Sequence, residues 1–166
     1  MTKIMDLHCD TISRIRSRRN EGHICGLQDN HFHVDLKRMK EAGYSLQTFA
    51  LFTDAAEEES PFFASMELLD IFREEMKKND DWIRQVITYE DLEKNEAEGK
   101  LSALLSVEDG GVSMGLPDIL EEYRKAGVRL MTLTWNHENV LAYPNKVGGH
   151  PKNGRNNWPD ERGLKQ

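Results

Sequence analysis

Three side chains of metal-ligand type stand where short apolar runs end. Residues 4–9 lead into His8, Cys9 and Asp10, and residues 101–107 lead into Glu108. Imidazole and carboxylate are donors that suit a hydrolytic zinc ion. Strand side chains alternate in direction, so a strand over 4–9 turns His8 and Asp10 one way and Cys9 the other. Taken alone, the triplet is a weak signal, and a satisfied histidine beside an aspartate that caps a turn or helix is the plainer reading. Glu108 precedes Asp109-Gly110-Gly111, where ordinary turn chemistry is the plainer reading. Combined with His8 and Asp10, Glu108 becomes a third candidate ligand, and the carboxylates suggest two metals held by a bridge. Such a pair can share a water, lower its pKa and clamp a developing oxyanion. After residues 128–134, the segment Trp135-Asn136-His137-Glu138-Asn139 brings more hydrogen-bonding groups to the same rim. A loop with a solvent-facing His137 is the alternative reading.

These residues need elements to hold them. Residues 4–9 form a short first strand, followed by a polar loop with Gly22 and Gly26. Val34, Leu36 and Met39 are spaced as on a helix that stops at Gly43. Residues 44–52 (YSLQTFALF) are apolar and aromatic enough for a buried second strand. Ser60-Pro61 opens a helix with Ser as N-cap and Pro first, carrying Phe62, Met66, Leu69 and Phe72 on one side. Thr88-Tyr89-Glu90-Asp91 resembles a capping box with Asp in place of Glu or Gln, opening a short helix that ends near Gly99. Residues 101–107 are a third strand, 117–126 a helix stopped by Gly127, and 128–134 a fourth strand. Strands alternating with helices predict a parallel α/β sheet. The continuous apolar runs fit strands covered on both faces. Such folds build their sites at the C-terminal strand ends, where the candidate residues fall. From Ala142 onward the chain is rich in Pro, Gly, Asn and His and reads as a long functional loop.

Composition narrows the class. The 166 residues suit a single domain, with 38% hydrophobic and 31% charged residues. A net charge of −7 argues against a nucleic-acid binder. The basic cluster Arg14, Arg16, Arg18 and Arg19 is most simply a solvated loop or helix start. No run approaches the ~20 apolar residues of a membrane span. The first residues lack a signal-peptide core, and Cys9 and Cys25 form no disulfide framework, so a reduced, cytoplasmic setting is expected.

The pieces MDLHCDT at 5–11, LLSVEDGG at 104–111, AGVRLMTLTWNHENVLA at 126–142 and the terminal NGRNNWPDERGLKQ resemble the renal (membrane) dipeptidase family, in its order and approximate spacing. The resemblance implies a TIM (β/α)₈ barrel with a binuclear zinc centre that hydrolyses dipeptides. By it, His8 and Asp10 fall on the first metal-ligand pair and Glu108 on the bridging carboxylate. A hydroxide held between the ions would then attack the peptide carbonyl.

Two departures from the family bear on activity. In animal members a substrate-contacting histidine directly follows the Thr-Leu-Thr of the fourth strand; this chain has Trp135 there, with His137 two residues further on, so the resemblance makes His137 and its neighbour Asn136 the candidate substrate contacts. Family members also continue through four more strands, which supply two further histidine ligands, an arginine-containing substrate loop and an acidic residue near the scissile bond. The whole chain, 1–166, is therefore expected to be the N-terminal half of the barrel, about four β/α units, with three of five metal ligands and no turnover of its own. Open barrel edges would favour a homo-oligomer. A non-catalytic fragment that acts by self-association is the alternative. Another barrel metallohydrolase is a further one, although such enzymes tend to open with H-x-H rather than His8-Cys9-Asp10.

Overall fold

A computed structural model describes residues 3–54 and 58–144. The loop predicted from Ala142 onward lies almost wholly outside the described residues, as does the terminal NGRNNWPDERGLKQ motif.

The elements run β1 (Ile4–Asp6), α1 (Thr11–Asn20), α2 (Leu36–Ala42), β2 (Tyr44–Phe52), α3 (Pro61–Lys78), β3 (Ile83–Val86), α4 (Tyr89–Ala97), β4 (Leu101–Glu108), a 3₁₀ turn (Gly110–Ser113), α5 (Pro117–Lys125) and β5 (Val128–Met131). All strand pairs are parallel. β2 lies between β1 and β4, and its register with β4 runs unbroken from Leu46 opposite Ser102 to Phe52 opposite Glu108. The far edge of β4 is shared end to end. β3 pairs with its first half, Leu101 to Leu104, and β5 with its second half, Leu105 to Val107. The four predicted strands are β1, β2, β4 and β5, and β3 is an addition between two helices.

Alternation divides β2 and β4 into two faces. Phe49, Leu51, Leu101, Ala103, Leu105 and Val107 join one core with Ile12 and Ile15 of α1 and Leu68 and Phe72 of α3. Phe49 and Phe72 meet at 6.1 Å between ring centroids. The other parity, Thr48, Ala50 and Phe52 on β2 and Ser102, Ser106 and Glu108 on β4, is smaller and more polar and runs out at Glu108. Burying the apolar set against α1 and α3 therefore decides which way Glu108 faces.

Several sequence expectations change. β1 stops at Asp6 rather than Cys9, and β5 at Met131 rather than Thr134. The expected polar loop after the first strand begins as α1, a ten-residue helix. Its apolar face is narrow because only Ile12 and Ile15 supply large buried side chains, and Arg18 and Arg19 in its last turn complement the helix dipole. The basic cluster is thus not simply solvated. Arg16 pairs with Glu58 and Glu67, and Arg19 with Glu74 and Glu75. Glu75 is fully buried and is satisfied there by Arg19, by the Leu27 N–H at 2.7 Å and by Asn79 at 3.3 Å. This carboxylate ties α1, the loop to α2 and α3 together, which explains how a charge resides in the core.

Other expectations hold. Gly43 ends α2 in the left-handed region at φ 81°, and the Thr88–Asp91 capping box forms with Asp as its acceptor. Pro61 takes the first turn of α3, though Ser60 makes no side-chain cap bond. Among the described residues no helix is long and apolar enough to cross a membrane.

Candidate metal centre at the strand rim

The backbone continues beside β2 after β1 formally ends, because the Ala50 N–H donates to the Cys9 carbonyl at 3.0 Å. The alternation expected from the sequence survives on that account. Cys9 is buried in the core while His8 and Asp10 are exposed at the rim. Asp6 steadies the segment by accepting from the His8 N–H at 3.1 Å. Asp10 occupies the N-cap of α1, but its side chain makes no cap bond and stays free to face His8.

His8 Nε2 lies 3.4 Å from Asp10 Oδ1 and 3.3 Å from Glu108 Oε2. One donor atom from each of the three residues falls within 4.8 Å of the others. Ligands about 2.1 Å from a tetrahedral zinc ion are roughly 3.4 Å apart, which both distances from His8 match. Burial pushes the Glu108 carboxyl above its ordinary range; His8 opposes the shift, while Asp10 and Asp109 add to it. A half-buried carboxylate facing a second one is a poor home for bare negative charge and a good one for a cation.

The turn after Glu108 is tightly built. Asp109 adopts φ 76°, uncommon for a residue with a side chain, and is buried. Its Oδ1 accepts from the Gly111 N–H at 2.8 Å and from Asn139 Nδ2 at 2.6 Å. A side chain at Gly110 would meet Leu141 Cδ1 at 2.7 Å, and one at Gly111 would meet Asn139 Cβ at 2.9 Å. Leu141 therefore packs over this turn.

The rim is completed by the segment after β5. Trp135 meets Phe52 edge-on at 4.9 Å, with His137 a further 6.0 Å from Trp135. His137 Nε2 lies 3.6 Å from Asp54 Oδ1, and among the described residues no hydrogen bond or ion pair joins His137 or Asn136 to the triad. The structure brings together His8, Asp10 and Glu108, and leaves His137 and Asn136 on an adjoining part of the rim. Sequence reasoning missed Asp54, two positions past the end of β2, although the strand-end rule applied to Glu108 points to it. It also missed Asn139, whose partner is distant in sequence.

None of the curated proteins matches the chain. Among solved structures, the chain resembles the metallopeptidase dipeptidase AC at 20% identity and TM-score 0.73, covering 85% of this chain and 45% of that one. A metallopeptidase from Rhodobacter sphaeroides, liganded with a phosphinate mimic of the dipeptide L-Ala-D-Ala, matches at 18% identity and TM-score 0.74, covering 86% and 48%. The probable dipeptidase PvdM from Pseudomonas aeruginosa matches at 14% identity and TM-score 0.63, covering 70% and 32%. The chain thus spans under half the length of these structures and shares their α/β fold over about its first four β/α units. The family model for membrane dipeptidase, peptidase family M19, matches residues 1–158, and the chain belongs to that family.

Proposed function

We propose that this chain supplies the first part of a metallo-dipeptidase active site, with His8, Asp10 and Glu108 as metal ligands and Glu108 as the carboxylate shared between two zinc ions. The observation that carries the proposal is the convergence of His8 Nε2 on both carboxylates at 3.3–3.4 Å, from elements about a hundred residues apart in the chain. Bound zinc would polarise a peptide carbonyl and lower the pKa of a water. The protein's own part is to present an imidazole and two carboxylates, held by the Asp6–His8 bond and the Asp109–Asn139 anchor. Asn136 and His137, beside Trp135, would meet the substrate. The substrate class is a dipeptide, in keeping with the phosphinate dipeptide mimic in the Rhodobacter structure.

Three ligands are too few to hold two zinc ions in catalytic geometry, and hydrolysis is proposed to need strands beyond the five described. A cytoplasmic setting suits the free thiols Cys9 and Cys25. Self-association is a second reading, favoured by the outer edges of β1 and β5, which have no strand neighbour among the described residues and expose Met5, Leu7 and Leu130.

The test is zinc content of the purified chain together with L-Ala-D-Ala hydrolysis in added zinc, for the parent and for Glu108→Ala. Uptake of zinc that falls at least tenfold in affinity in the variant, without turnover by the parent, is expected. Zinc uptake indifferent to Glu108 would sink the proposal.

A further inference from the structure

A pocket of about 530 Å³ opens beside the candidate metal centre, and Asp6, His8, Asp10, Arg14, His31 and His33 are among the residues that line it. Its size suits a small ligand, and His8 and Asp10 belong to both the pocket and the triad. Arg14 is the telling residue. It is exposed on α1, one turn beyond Asp10, whose carbonyl accepts its backbone N–H at 3.1 Å. Alone among the described arginines, Arg14 has no side-chain hydrogen bond or ion pair; Arg16, Arg18, Arg19, Arg38, Arg73, Arg84, Arg124 and Arg129 are all engaged. The i, i+4 spacing would let Arg14 pair with Asp10, yet Asp10 turns to His8 instead. The pocket's other acid, Asp6, is occupied with the His8 N–H. A guanidinium with five donors and no acceptor therefore lines the pocket without a partner among the described residues, together with the exposed residues His31 and His33.

Resting on the metallo-dipeptidase reading, we infer that this pocket takes a carboxylate of the bound ligand, received by Arg14. A planar guanidinium binds carboxylate in two parallel hydrogen bonds. An extended ligand advances about 3.5 Å per residue, so one whose scissile carbonyl sits at the triad reaches a group one helical turn away, about 5.4 Å. The carboxylate is either the ligand's terminal one or that of an acidic side chain, and the chemistry of recognition is the same. Arg14 is a specificity-determining residue, and it stands apart from the metal ligands.

Calorimetric titration of the zinc-loaded full chain decides the matter without relying on turnover. Four phosphinate dipeptide mimics serve as probes: Ala-Ala, Ala-Glu, Ala-Gln and Ala-Ala amide. A side-chain subsite predicts that Ala-Glu binds about tenfold tighter than Ala-Gln, and a terminal-carboxylate subsite that Ala-Ala binds about tenfold tighter than its amide. In either case Arg14→Gln should remove the difference, Arg14→Lys should restore part of it, and zinc content should not change. Arg14 has no side-chain partner among the described residues, so neither variant is expected to disturb folding. Zinc uptake and Ala-Ala binding without either preference, or a preference that survives Arg14→Gln, would overturn this inference and leave the dipeptidase reading standing. Failure to take up zinc or any of the mimics would overturn both.

Discussion

Asn139 donates a 2.6 Å hydrogen bond to the buried Asp109 carboxylate, thirty positions earlier in the chain. The same amide nitrogen donates to the Leu133 carbonyl, and its oxygen accepts from the N–H groups of Leu141 and Ala142. One side chain thus closes the segment bearing Trp135, Asn136 and His137 onto the residue that follows Glu108. Asp109 Oδ2 has no partner among the described residues, so the carboxylate depends on Oδ1 and its two donors. Asn139→Ala should destabilise the chain by about 1–3 kcal/mol. Zinc affinity should fall with it, because the turn that aims Glu108 loosens. Urea denaturation and zinc titration on the same preparation check this, and unchanged zinc affinity would show that the anchor serves the loop alone.

Glu75 governs stability away from the rim. Removing one partner of a buried charge pair costs about 3–5 kcal/mol, because the other partner is left uncompensated. Glu75→Ala would strand Arg19 and the Leu27 N–H, so a loss of that size is expected. Gly26→Ala approaches the same carboxylate from outside, since its Cβ would sit 3.0 Å from Glu75 Oε2. It should destabilise the chain by less, about 1–3 kcal/mol. Both variants, where folded, should bind zinc like the parent. A fall in zinc binding that outpaces the loss of folded protein would contradict that separation.

How much of this was legible in the sequence depended on how local each cause is. β2 and β4 stand out because both their faces are covered, and Gly43 and Gly127 mark the helix stops before β2 and β5. The triad follows from strand ends and side-chain parity, both readable over a few residues. α1 was hidden because TISRIRSRRN carries only two large apolar residues, and its support comes from Glu58, Glu67, Glu74 and Glu75 far along the chain. β3 was missed because four residues, two of them polar, carry too little alternation to register. The Asp109–Asn139 anchor is non-local, and the Asp-Gly pair that conceals it looks like an ordinary turn.

Cys9 and Cys25 should separate by reactivity. Burial pushes the Cys9 thiol up to about 11, so at neutral pH it stays protonated and enclosed. The thiolate is the nucleophile, so Cys9 should resist alkylation in the native chain and react only on unfolding. Cys25, half-buried with its thiol toward the Ile15 carbonyl, is the site of any native labelling. Peptide mapping after iodoacetamide treatment, with and without denaturant, reads this directly. Native labelling of Cys9 would mean that the segment between His8 and Asp10 opens readily.

The Glu108 carboxyl sets a pH dependence whose sign reverses when metal binds. Its value in the folded chain lies above the ordinary 4.5, chiefly because burial disfavours the charged form. Between those two values the folded metal-free chain holds a proton that the unfolded chain has released. Stability contributed by that proton is complete below the ordinary value and is lost as pH rises through the folded one. Zinc requires the ionised carboxylate, so its uptake must displace the proton and should weaken as pH falls through the same window. As pH rises from the ordinary value of 4.5 through the folded one, the Glu108 contribution to denaturation midpoints should therefore slope downward for the metal-free chain and upward with zinc present. Glu108→Gln removes the titrating group and should flatten this part of the metal-free slope. A metal-free profile unaffected by that substitution would place the titration elsewhere, and a zinc profile without an upward slope would remove Glu108 from the ligand set.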